Sequence, residues 1–184
     1  MRLFIAVKLS PGITQELFTC IETLKKADSS TKWVKSENIH LTLKFLGETP
    51  SELEPVLSSH LQKAALLTPL FDFRIAKLGA FPSTRTPKLV WAGITEGSGY
   101  LIKLAGLIDE TFAGIGYKRE EKPFTPHITL GRVSSAKKLE ALRKTIEKYE
   151  FMEAVQTVKS IHLMRSELTK AGPIYTSLSE SRLV

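Results

Sequence analysis

The chain has 184 residues, and its 26 Lys and Arg against 19 Asp and Glu give a formal net charge of +7. A composition of 42% hydrophobic and 24% charged residues is that of a folded domain with a proper core, which excludes a disordered or fibrous chain. The positive balance favours a polyanionic partner such as nucleic acid or a phosphate ligand, although solvated lysine faces produce the same balance.

In chain order, RLFIAVKL (2–9) has the pattern of a strand. Its apolar stretch is too short, and too soon followed by Lys8 and Pro11, to be a signal peptide. ITQELFTCIETLKKA (13–27) puts Leu17, Cys20, Ile21 and Leu24 on one helical face. Cys20 is the single cysteine, so no intrachain disulfide or cysteine-based metal cluster is expected. NIHLTLKFLG (38–47) is the next predicted strand. SELEPVLSSHLQKAALL (51–67) follows as a helix with Ser51 as N-cap and an acidic first turn. FDFRIAKLGAF (71–81) alternates as a strand again.

The same order then repeats. KLVWAGI (88–94) is a strand, YLIKLAGLIDETFAGI (100–115) an amphipathic helix ended by glycines, and PHITLGRV (126–133) a strand. SAKKLEALRKTIEKYE (135–150) is helical, FMEAVQTVKSIHLMRSEL (151–168) extended, and GPIYTSLSESRLV (172–184) a last strand and tail. No apolar run approaches the ~20 residues that cross a bilayer, so the expected setting is the reducing cytoplasm. The repeat predicts an α+β fold of one domain, 1–184, in two similar lobes (about 1–81 and 88–168). Strands can be exchanged between the lobes, which face one another across a groove.

Each half carries the same four residues in a strand: His40-Leu41-Thr42-Leu43 and His127-Ile128-Thr129-Leu130. Residues two apart in a strand share a face. Leucine and isoleucine can therefore pack inward while His40 and Thr42, and His127 and Thr129, look outward. An imidazole titrates near ~6.5, so one ring can donate a proton while the other accepts one. Hydroxyls between them can hold a phosphoryl oxygen as charge develops. A cyclic phosphodiester suits this set, because attack and departure take place on opposite sides of phosphorus, and no metal is required.

A single His-x-Thr is more often structural than catalytic, but two copies at matching points of a repeated plan reverse that balance. A zinc site lacks a third ligand at matching spacing. His60 falls on a helix surface, and His162, with no threonine two residues on, is assigned to structure. A serine-nucleophile triad fails for want of a Gly-x-Ser-x-Gly turn. AGIGYK (113–118) follows a helix instead of opening one, so a dinucleotide loop fails too.

The paired motifs, with RLFIAVKL, WVKSENIHLTLKFLGE, LVWAGI, FTPHITLGRV and IHLMRSELTKAGPIYTSL, resemble the two-histidine (2H) phosphoesterase superfamily. Within it the chain is similar to the RNA 2′,3′-cyclic phosphodiesterases, also called 2′-5′ RNA ligases. The resemblance implies a bilobal fold of two antiparallel sheets facing a central groove, with helices outside. It implies metal- and cofactor-independent opening of RNA 2′,3′-cyclic phosphate ends to 2′-phosphomonoesters, with His40 as proton donor and His127 as proton acceptor. Thr42, Thr129 and Arg132 would hold the phosphate. In reverse, the same chemistry would join RNA ends, such as tRNA halves, through a 2′-5′ linkage without ATP. Relatives acting on ADP-ribose cyclic phosphate or 2′-5′ oligoadenylate are the alternative, as is an RNA-end-binding protein without catalysis.

Strict alternation turns Arg132 away from His127, so its role needs a bulge at Gly131. Phe45 has the same parity problem, and core packing is the favoured expectation over base stacking. Phe124, Arg165 and Tyr175 are further groove candidates, with Pro126 beside Phe124. Lys8, Lys35, Lys44, Lys122 and Arg85 are candidate backbone contacts. A monomer is expected, because one chain carries both half-sites.

Overall fold

The computed structural model describes residues 1–28, 30–134, 139–151, 154–170 and 172–184. In β1 (Arg2–Lys8), Leu3, Ile5 and Val7 are buried in the main core, while Phe4 and Ala6 point to the other face and join a small separate cluster. Helix α1 (Pro11–Ala27) follows, capped by Ser10, whose hydroxyl accepts from the Ile13 amide, and it buries Leu17, Cys20, Ile21 and Leu24. The short β2 (Lys32–Trp33) precedes β3 (His40–Glu48), α2 (Glu54–Leu66) and β4 (Phe71–Phe81). The second half contributes β5 (Leu89–Ile94), α3 (Ser98–Ala113), β6 (His127–Arg132), α4 (Leu139–Lys148), β7 (Val155–Val158), β8 (Ser160–Thr169) and β9 (Gly172–Arg182).

These strands form two antiparallel sheets, ordered β3-β1-β8-β9 and β2-β6-β5-β4-β7. In each, the His-x-Thr strand pairs with the first strand of its own repeat. The strand after α2 crosses over: β4 joins β5 in the second sheet, while β8 and β9 complete the first. One core runs beneath both sheets, from Leu41, Leu43 and Leu163 to Val90, Ile128 and Leu130, and includes Leu61 of α2 and Ile108 of α3. Fully burying such a side chain contributes roughly 1.5–3 kcal/mol, so the two sheets are held as one body by shared apolar burial. Among the described residues no helix is long and apolar enough to cross a membrane.

Several local expectations change. Ser51 is not the N-cap of α2: residues Ser51–Leu53 form a separate 3-10 turn, Ser51 donates to Glu52, and Leu53 precedes the helix without a side-chain cap. The extended 151–168 segment divides into β7 and β8, which serve different sheets. Positions 152 and 153 of that segment, and 135–138 of the predicted fourth helix, lie outside the described residues. The two-residue β2 has no periodicity long enough to announce it.

Candidate active site

Both motif histidines are held in the same way. The Nδ1–H of His40 donates to the Asn38 carbonyl at 2.8 Å, and that of His127 donates to the Thr125 carbonyl at 2.8 Å. A carbonyl only accepts, so each ring keeps its proton on Nδ1 in the neutral state, and Nε2 is then the ring's acceptor. For His40, Nε2 lies 2.9 Å from Thr42 Oγ1. Burial pushes the His40 pKa below the ordinary imidazole value, opposed by the bond to Asn38, which favours the cation.

The register explains what else shares these faces. Across the β1–β3 ladder, Lys8 pairs with His40, Ala6 with Thr42, and Phe4 with Phe45. The ladder slips between Ile5 and Ala6, so Leu43 and Lys44 form a bulge and Phe45 returns to the face of His40. Phe45 is therefore not a core residue, as parity led one to expect. It is 68% exposed, with Phe4 at 6.2 Å between ring centroids. Lys44 takes the inward position instead. At 3% exposure it donates to Asp109 at 2.5 Å and to the Lys118 carbonyl at 2.9 Å, which removes it from the candidate backbone contacts.

The second motif repeats this device. Gly93 pairs with His127, Trp91 with Thr129, and Leu89 with Arg132, with a slip between Val90 and Trp91. The bulge at Leu130–Gly131 thus carries Arg132 onto the face of His127 and Thr129. In both copies the fifth residue after the histidine is re-aimed by a bulge at the same place, giving a phenyl ring in one sheet and a guanidinium in the other.

Strands β3 and β6, which carry the two motifs, run as neighbours, with Cα–Cα separations within 8 Å but in different sheets. Tyr175 on β9 stands edge-on to His40 (5.1 Å, 86°) and to Phe4 (5.1 Å, 73°). Burial raises its phenol pKa, while the charges of Arg132 and Arg2 lower it. Arg132 of the second sheet is thus close enough to act on a ring that touches His40 of the first.

Other candidates fall elsewhere. Arg165 pairs with Leu3 and shares its helix-side face, where it binds Glu167 at 3.0 Å, so it is not in the groove. Phe124 packs half-buried against the main core, and Pro126 beside it is buried. His162 is buried between Ser160 and Ser177, at 3.2 and 3.0 Å, and His60 lies on α2 against the Val56 carbonyl. Lys8 lies exposed on the His40 face, while Lys35, Lys122 and Arg85 are exposed on segments between the strands. Phe4, Phe81 and Trp91 were missed by sequence reasoning. Phe81 stands edge-on to His127 (5.4 Å, 88°) and Trp91 is its neighbour at 5.2 Å, contacts that arise only across strands.

The chain matches the profile of the 2′-5′ RNA ligase superfamily over residues 13–170. It is 33% identical over 184 residues to the RNA 2′,3′-cyclic phosphodiesterase of Methanothermobacter thermautotrophicus, covering 100% of this chain and 99% of that protein. Against the RNA 2′,3′-cyclic phosphodiesterase of Thermotoga maritima it is 34% identical over 180 residues, covering 98% and 94%. Among solved structures it is similar to TT0787 of Thermus thermophilus, with a TM-score of 0.83, 29% identity and 100% and 98% of the two chains covered. It is also similar to E. coli LigT complexed with 3′-AMP, with a TM-score of 0.77, 27% identity and 99% and 97% covered.

Proposed function

This chain belongs to the 2′-5′ RNA ligase superfamily, and from that premise we propose that it hydrolyses 2′,3′-cyclic phosphate ends of RNA to 2′-phosphomonoesters by two-histidine acid–base catalysis. The observation that carries the mechanism is the matched anchoring of both rings through Nδ1 to a carbonyl two residues upstream. It reserves two Nε2 atoms, one per sheet, for proton transfer.

In the reaction, water attacks phosphorus and gives its proton to His127 Nε2. The P–O3′ bond breaks on the opposite side, and the departing 3′ oxygen takes a proton from His40 Nε2. Thr42, Thr129 and Arg132 supply donors to the non-bridging oxygens, where charge accumulates. The half-buried His40, whose pKa burial lowers, is favoured as the imidazolium when the phosphodiester anion arrives, because a neighbouring negative charge stabilises the cation. Phe45, exposed on the His40 face, offers a ring on which the terminal base stacks. No step calls for a metal or other cofactor, and one chain carries both half-sites. With a 5′-hydroxyl of a second RNA in place of water, the same proton transfers yield a 2′-5′ linkage, the ring supplying the energy in place of ATP.

The test is incubation of an oligoribonucleotide ending in a 2′,3′-cyclic phosphate with the protein in EDTA. The expected product is the 2′-phosphate. A 3′-phosphate product, or a rate that returns only with added divalent metal, would overturn the mechanism.

A further inference from the structure

The second sheet holds a built surface beside His127 that hydrolysis alone does not use. The Trp91 ring lies flat over two glycines. A Cβ on Gly79 would sit 2.2 Å from Trp91 Cζ2, and a Cβ on Gly93 2.6 Å from Cζ3. Glycine inside a strand ordinarily weakens it and often marks a close approach, so β4 and β5 both give up a side chain to seat this indole. Trp91 Nε1–H is buried and has no acceptor among the described residues, a cost folded proteins ordinarily avoid. Phe81 leans over the indole (5.2 Å, 35°), stands edge-on to His127, and is 37% exposed. Lys77 is exposed and pairs with Gly93, which pairs with His127. Its Cγ lies 3.4 Å from where a Gly93 Cβ would be, so the stem crosses the glycine in the row that leads to His127.

We propose that Trp91, Phe81 and Lys77 form a subsite for the nucleotide that bears an attacking 5′-hydroxyl. The first base stacks on the aromatic pair, and Lys77 binds the phosphodiester after it. This rests on the proposed assignment of His127 as the group that accepts the nucleophile's proton. Water needs no aromatic platform on that side, whereas a nucleoside does, since base–aromatic stacking is the usual means of holding single-stranded ends. The acceptor's 5′-O–H gives its proton to His127 Nε2, its oxygen bonds to phosphorus, P–O3′ breaks, and O3′ takes the His40 proton.

A donor RNA with a 2′,3′-cyclic phosphate is mixed with rising concentrations of a 5′-hydroxyl dinucleotide or of a nucleoside, and the ratio of joined to hydrolysed donor is measured. The ratio should saturate with the dinucleotide. It should fall about tenfold in Phe81→Leu, return in Phe81→Trp, and lose its dinucleotide-over-nucleoside preference in Lys77→Ala. A ratio linear in acceptor, or equal in Lys77→Ala and wild type, overturns the subsite. If the wild type opens no cyclic phosphate, the hydrolytic reading fails by itself, and anisotropy of a labelled 5′-hydroxyl RNA decides the subsite. Weaker binding by Phe81→Leu and Lys77→Ala supports it, and equal binding overturns it.

Discussion

Replacing His40 or His127 with alanine is expected to lower kcat on a cyclic phosphate by roughly 10²–10⁴ in each case, the usual worth of one positioned proton-transfer group. The double variant should be little worse than the poorer single one, because residues acting as a unit are not additive. What separates the two is the leaving group. A phosphodiester with an aryl leaving group departs without a proton, so His40→Ala should recover most of its rate on that substrate. His127→Ala should not, since water must still lose its proton. The reverse pattern would exchange the two roles, and equal recovery by both would remove paired proton transfer altogether.

The pH dependence follows from the same assignment. Burial holds the His40 pKa below the ordinary imidazole value in the free protein. A donor must be protonated to work, so its contribution is complete below that lowered pKa and is lost as pH rises through it. The full profile of kcat/KM belongs to the coupled pair and cannot by itself assign either ring. In His127→Ala the remaining limb is that of His40. The residual kcat/KM should fall with rising pH, with a midpoint below about 6.5. A residual rate that falls instead as the pH is lowered would make His40 the acceptor.

The parts of this fold that alternation or helical periodicity controls were legible in the sequence. Leu41 and Leu43, or Leu17 and Leu24, are apolar because they are buried, and their spacing alone names the element. Bulges break that logic. The slip opposite Ile5 and Ala6 reverses the parity from Lys44 to Leu46, which sends Lys44 inward and Phe45 outward, until a second slip opposite Leu3 and Phe4 restores it at Gly47. Gly131 marks the corresponding slip in the second copy, but no glycine marks the first, where Lys44 stands. The crossing of β4 into the second sheet is equally silent, since a strand's composition does not record its partner. Arg165 and Tyr175 are both polar-tipped residues of the last hairpin. Only register assigns one to the helix side and the other to His40.

Arg132→Ala is the other large loss expected, about 10²–10³ in kcat if its guanidinium meets charge that appears only in the transition state. The side chain is exposed, and an exposed cation that merely steers RNA inward would behave differently. Its removal would raise KM, with an effect that fades at high salt. The placement argues for the first role. A bulge is retained in β6 at the cost of an unpaired residue, and its consequence is to bring Arg132 beside Thr129 and within electrostatic range of Tyr175, which touches His40. Arg132→Lys sharpens the test, because lysine keeps the charge but lacks the planar fork that engages two phosphoryl oxygens at once. A kcat close to that of Arg132→Ala would show that the geometry of the donors matters, whereas recovery to near wild type would reduce Arg132 to a point charge. The first copy of the motif places Phe45 at the equivalent position through the equivalent bulge. The two copies therefore differ in chemistry at this one position, with a phenyl ring suited to stacking in the first sheet and a guanidinium suited to an anion in the second.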